Sequence, residues 1–166
     1  MTRTHIRRGE PADLRALTEI YNHYVERTAV TFDCVPFAIA EREPWFAGFA
    51  ERGRHQIFVL CEDEAVVAYA CSHRFRPKAA YDTSVETSVY CHPDAQGRGY
   101  GRQLYEALFD ALAGEDVHRI YAGVTLPNPG SVALHERLGF ERVAVFNEVG
   151  RKLDRYWDVL WLEKRL

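Results

Sequence analysis

Gly97, Gly99 and Gly101 stand at every second position just ahead of the amphipathic run Leu104, Tyr105, Leu108, Phe109 and Leu112. Glycine costs about 1 kcal/mol against alanine inside a helix, so three at a helix start need a reason. A helix N-terminus leaves four backbone N–H groups without intrahelical partners and carries about half a positive charge. Together these make an anion site, above all for phosphate, if no side chain blocks close approach to the backbone. Residues Gln96, Gly97, Arg98, Gly99, Tyr100 and Gly101 are therefore a candidate phosphate cradle, with Arg98 and Arg102 as added charge. A plain tight turn is the competing reading. G-x-G-x-G lacks the Lys-Ser/Thr of a P-loop and differs from the G-x-G-x-x-G of dinucleotide folds.

A second chemical group lies just upstream, in "SVETSVYC". Strand alternation puts Glu86, Ser88 and Tyr90 on one face and Val85, Thr87 and Val89 on the other. A carboxylate inside an apolar strand is uncommon. Glu86 is either a satisfied structural carboxylate or a proton acceptor. An unperturbed glutamate near pKa 4.3 is a weak base for an alkylammonium unless burial raises it or water relays the proton. Arg74, Arg76 and Lys78 form a cationic run before Tyr81, either a solvated loop or a grip on an anion. The four cysteines show no C-x-x-C spacing and the seven histidines no H-E-x-x-H pattern, so no metal is expected.

These groups need a scaffold. "THIRR" reads as a strand. Leu14, Leu17, Ile20, Tyr21, Tyr24 and Val25 follow at helical spacing. "TAVTFDCVPF" is expected to be extended, and residues 40–52 a weaker helix. "HQIFVLCED" and "EAVVAYACSHRF" read as a hairpin turning at residues 62–64. "SVETSVYCHP" is a strand, then comes the helix after the glycines. "HRIYAGVTLP" is a strand, and a helix runs from Asn128 to the stop at Gly139. "ERVAVFNEVG" and "RYWDVLWLEKR" close the chain. The order β-α-α-β-β-β-α-β-α-β-β predicts an α/β fold, a mixed twisted sheet of about seven strands with four helices. No repeat, linker or low-complexity run divides residues 1–166, so one domain is expected. The chain of 166 residues is 47% hydrophobic with a net charge of −3. That argues for a globular protein and against a nucleic-acid partner. No apolar run reaches the ~18 residues of a membrane span, and none follows the basic start as in a secretory signal. A cytoplasmic protein is expected.

"QGRGYG" resembles the Q/R-x-x-G-x-G/A acetyl-CoA loop of the GNAT acetyltransferase superfamily, and the element order resembles its fold over essentially the whole chain. "IYNHYVERTAVTFD", "FRPKAAYDTSVETSVY" and "LPNPGSVALHERLGF" are further similar to the phosphinothricin N-acetyltransferase branch, with its methionine sulfone and sulfoximine acetyltransferases. The resemblance implies acetyl-CoA as co-substrate and direct N-acetylation of a small amino-acid-like amine. It places the CoA pyrophosphate on Gln96–Gly101, and the pantetheine arm on backbone groups of Val89, Tyr90 and Cys91 and on Asn128, whose alternative role is a helix N-cap. Glu86 matches the family's catalytic glutamate, and a backbone N–H near Val89 the oxyanion donor. His135 falls where a thiolate proton donor is expected, or is a half-buried helix residue; Tyr105 is a weaker candidate. Ser131 is expected to be structural. Phe32, Arg76, Lys78 and Tyr81 fall on substrate-wall positions. Lys78 stands where relatives commonly carry Arg, which weakens a bidentate grip. "KLDRYWDV" departs from the family's K-x-G-x-W-x-D-V, with Asp154 at the glycine position. A homodimer is implied. Polyamine or peptide acetylation, and a non-catalytic acyl-CoA sensor, are the alternatives.

Overall fold

The computed structural model describes residues 3–166. Strands β1 (Thr4–Arg8), β2 (Ile57–Glu62), β3 (Ala65–Arg74), β4 (Ser84–Cys91), β5 (Arg119–Thr125), β6 (Glu141–Lys152) and β7 (Arg155–Arg165) form one sheet. Its spatial order is β1-β2-β3-β4-β5-β7-β6. Helices α1 (Leu14–Arg27), α2 (Glu43–Phe46), α3 (Tyr100–Leu112) and α4 (Pro129–Arg137) complete it. Element order and mixed sheet are those expected from the sequence. Among the described residues only β4 and β5 pair in parallel, and α3 provides the crossover such a pair needs.

Alternation along the central strands sorts the core. Tyr69 and Cys71 of β3 join Leu17, Ile20 and Tyr24 of α1 on one face. Ala68 and Ala70 of β3 and Val85 of β4 join Leu104, Leu108 and Leu112 of α3 on the other. Those three leucines are fully buried, and truncating any to alanine costs about 2–5 kcal/mol. β1 is tied to the start of α1 by Arg7, which donates to both oxygens of buried Asp13 at 2.7 and 2.8 Å. The C-terminus of α1 is closed by Thr28, whose hydroxyl donates to the Tyr24 carbonyl at 2.8 Å.

Residues 28–38 take no place in the sheet, as the element order expects, and are held by side-chain bonds to α1. One local expectation needs correction. The helix expected over 40–52 is only a 3-10 turn, Ile39–Arg42, and the single turn of α2. Gly48, two residues beyond α2, is a poor helix residue, and Gly53 at φ 96° lies outside any helical conformation. The β6–β7 hairpin turns at Leu153 and Asp154, with φ of 52° and 56°. Both central residues of such a turn need positive φ, a conformation that suits the glycine the resemblance leads one to expect where Asp154 stands.

Candidate active site

β4 and β5 pair only through Ser84–Arg119, Val85–Ile120 and Glu86–Tyr121. Beyond Glu86 they separate, while β4 stays paired with β3 as far as Cys91. Among the described residues the β4 backbone from Thr87 to Cys91 therefore has no strand partner on its β5 side. Val89, Tyr90, Val124, Asn128, Tyr105 and His135 line the resulting slot. An extended chain bearing amides can add there as a strand would.

The slot leads to the glycine loop. Gly97 and Gly99 have φ of 75° and 79°, a left-handed backbone that residues with a Cβ rarely adopt. A Cβ on either would meet nothing within 4 Å, so the space above both is open. Gly99 is the N-cap of α3, whose first N–H groups have no intrahelical partner. Gly101 serves packing instead. A Cβ there would lie 3.3 Å from Leu134 Cδ2 and 3.7 Å from Val89 Cγ2, so its absence lets α3 pass close to α4 and β4. Arg98 donates to Glu62 at 2.6 Å and to the Asp94 carbonyl at 2.9 Å, and the Tyr100 hydroxyl donates to the same Glu62 at 2.7 Å. These side chains brace the loop against β2 and leave backbone N–H groups for an anion. Gln96 donates to the Tyr24 hydroxyl at 2.8 Å, which donates to the Cys91 carbonyl at 2.5 Å. Tyr24, which the sequence marks only as a core residue, thus fixes the end of β4 to the start of the loop.

Glu86 is half-buried on the same face as Ser88 and Tyr90. Burial raises its carboxyl above the ordinary glutamate range, and the nearby Arg76 charge opposes that rise. Arg76 lies over Phe75 at 4.5 Å and Trp161 at 5.7 Å. Phe75 is itself stacked on Tyr121 at 4.4 Å and meets Tyr81 at 6.1 Å. Lys78 is exposed at the start of the turn Ala79–Tyr81, and Arg74 is paired with Asp82 at 3.0 Å, as a solvated loop residue would be. Phe32 packs so closely on β6 that any side chain at Gly150 would overlap its ring. Lys152, buried, donates to the Thr31 carbonyl at 2.8 Å and pins the same loop.

His135 is 3% exposed. Its Nδ1 meets the Ser131 carbonyl at 2.7 Å, which assigns the proton to Nδ1 and leaves Nε2 as acceptor, 3.3 Å from the Tyr105 hydroxyl. Burial lowers its pKa, the Ser131 bond opposing. Asn128 caps α4, its Oδ1 accepting from the Ser131 N–H at 3.1 Å, while its side chain also borders the slot. Among the described residues no group of three or more His, Cys, Asp or Glu is placed to hold a metal, and no helix is long and apolar enough to cross a membrane.

A profile of the Acetyltransferase (GNAT) family matches residues 17–140. The chain is 53% identical to an N-acetyltransferase of Streptomyces griseus, over 97% of this chain and 86% of that protein. It is 50% identical to the phosphinothricin N-acetyltransferase of Streptomyces coelicolor, over 97% and 95% respectively. It is also similar to the crystal structure of a GNAT superfamily phosphinothricin acetyltransferase from Sinorhizobium meliloti in complex with acetyl-CoA. The TM-score is 0.93 at 32% identity, covering 100% of this chain and 89% of that one.

Proposed function

The chain belongs to the GNAT acetyltransferase family, and on that premise we propose that it moves an acetyl group from acetyl-CoA directly to the amine of a small amino-acid-like substrate. Phosphinothricin, methionine sulfone and methionine sulfoximine define the substrate type. The observation that carries this reading is the parting of β4 from β5 immediately after Glu86. It sets a candidate base at the mouth of a slot whose far end opens on left-handed Gly97 and Gly99.

Acetyl-CoA supplies the thioester to be cleaved. The unpaired backbone of Val89, Tyr90 and Cys91, with Asn128, is suited to an amide-bearing arm, and the N–H groups of Gln96–Gly101 to a pyrophosphate. An N–H at or near Val89 serves the oxyanion. Glu86 takes the proton of the ammonium, directly or through water, its raised pKa making it a better base than an exposed glutamate. His135 is a poor acid in this state, because its one proton is held by Ser131. It orients the Tyr105 hydroxyl, which is free to turn its hydrogen bond to the leaving sulfur. Phe32, Arg76, Lys78 and Tyr81 wall the amine side, and the cations there disfavour a polyamine.

The unit of function is the single domain 1–166, cytoplasmic, with a small-molecule partner rather than nucleic acid or membrane. All four cysteines are unpaired, which supports a reducing compartment. A homodimer is supported by the edge strand β6, where Val143, Val145, Phe146 and Val149 are 44–55% exposed. The test is a reaction with acetyl-CoA labelled in the acetyl group and methionine sulfone as acceptor. Mass spectrometry should find the label on the product nitrogen and none on the protein; label retained on the protein would overturn direct transfer.

A further inference from the structure

A cavity of about 180 Å³ lies beneath α1 on the Glu86 face of the sheet. Liquid water occupies about 30 Å³ per molecule, so a small polar group fits with room to spare. Ser88 and His73 line it. Ser88 is two residues beyond Glu86 on the same face, about 7 Å along the strand, and His73 stands opposite Glu86 in the β3–β4 register. The cavity therefore adjoins the place where the amine must sit.

Arg42 is the cation in its wall, 5% exposed at the end of the turn Ile39–Arg42. Its guanidinium is held between the rings of Trp45 at 3.8 Å and Tyr21 at 4.3 Å. Among the described residues it has no carboxylate within 4.0 Å, and its Nη1 is buried with no hydrogen-bond partner. The Tyr69 hydroxyl, in the same wall and 1% exposed, is also buried without a partner. Two acids share the lining, but both are engaged: Asp33 accepts from the Tyr21 hydroxyl and Glu41 from the Ala38 N–H. Leaving a buried donor unmade is costly. The guanidinium bears on the Tyr69 oxygen, so the two act as one donor pair, and the Tyr69 hydrogen with the remaining guanidinium N–H groups is left for a ligand that brings oxygen acceptors.

We infer that Arg42 and Tyr69 form the subsite for the carboxylate of the acceptor amino acid. The inference rests on the acetyltransferase reading and deepens it. The carboxylate is common to every amino-acid acceptor and meets a guanidinium stacked rigidly inside the protein. The variable end of the substrate is left to the exposed Arg76 loop on the other side of Glu86. Arg42 and Tyr69 act on binding and placement and take no proton.

The test compares L-methionine sulfone with its carboxamide, which keeps the amine and loses the anionic charge. Calorimetric binding to the CoA-loaded parent protein should favour the acid. In Arg42→Met that preference should fall by about 10–100-fold, the range for a hydrogen bond to a charged group. Tyr69→Phe should lower it by a smaller factor, and Arg42→Lys should restore part of it. Acetyl-CoA affinity in each variant reports that the fold is intact. Equal losses for acid and carboxamide, an unchanged preference in Arg42→Met and Tyr69→Phe, or no binding of the acid by the parent would each overturn the inference. Selective binding of the acid without acetylation would leave this subsite standing and overturn the acetyl-transfer reading instead.

Discussion

Glu86 of β4 and Tyr121 of β5 are the last pair of residues in register before the two strands part. A single position thus ends the parallel β4–β5 ladder, opens the slot and carries the candidate base. The Phe75 ring lies on Tyr121, and Arg76 next to it bears on the Glu86 carboxyl. Slot, base and substrate loop meet at this pair.

Glu86→Gln should lower kcat by about 100-fold or more, within the range for a positioned general base, with acetyl-CoA affinity nearly unchanged. Steady-state kinetics with calorimetry checks this, and an unchanged kcat removes Glu86 from the role.

Two pH effects follow from the raised carboxyl. The rate depends on ionised Glu86, so it should fall as pH drops through a value above the ordinary glutamate range. Arg76 opposes the rise, so Arg76→Ala should move that limb to still higher pH. Stability has the opposite sense. A carboxyl raised by folding contributes stability below its unfolded value and loses it as pH climbs through the folded one. Glu86→Gln should therefore unfold at higher temperature than the parent near neutral pH, with the gap closing in acid. Thermal melts across pH read this directly.

Gly99→Val should weaken acetyl-CoA binding sharply, because it forces a β-branched residue to φ 79° and fills the open space above the loop. Gly101→Ala crowds Leu134 and should act first on the melting temperature. Calorimetric Kd values within about two-fold of the parent for Gly99→Val would refute the cradle.

His135 should remain neutral near pH 7 with its proton on Nδ1, because burial lowers its pKa, as nitrogen NMR shifts of the ring will show. Because burial lowers its pKa, its contribution to stability is present above the ordinary histidine value and fades as pH falls through the lowered one. An imidazolium signal near neutral pH would restore it as the acid.

Gly150→Ala should displace Phe32, lowering the melting temperature and raising the KM for the amine more than that for acetyl-CoA. Overpacking of this kind costs about 1–3 kcal/mol, or roughly 2–4 °C per kcal/mol at this size.

The sequence shows the strands, the α3 start and the glycine loop clearly, because periodicity and glycine spacing are local signals. Gly97 and Gly99 follow that logic. Gly101 does not, since its neighbours are Leu134 and Val89 on other elements. The held proton of His135 is hidden because it depends on α4 bringing the Ser131 carbonyl into reach. Arg42 looks like an ordinary charge in "AEREPWF"; only the fold lays it between Tyr21 and Trp45. The one clue is its place three residues before a tryptophan.

The most direct measurement is thiol release from acetyl-CoA across a panel of amines: phosphinothricin, methionine sulfone, methionine sulfoximine, a polyamine and a peptide. The account predicts turnover with the amino-acid-like amines, one N-acetyl product per thiol released, and far less with the polyamine or peptide. Measurable acetyl-CoA binding with no thiol release for any amine would contradict it and point to an acyl-CoA sensor.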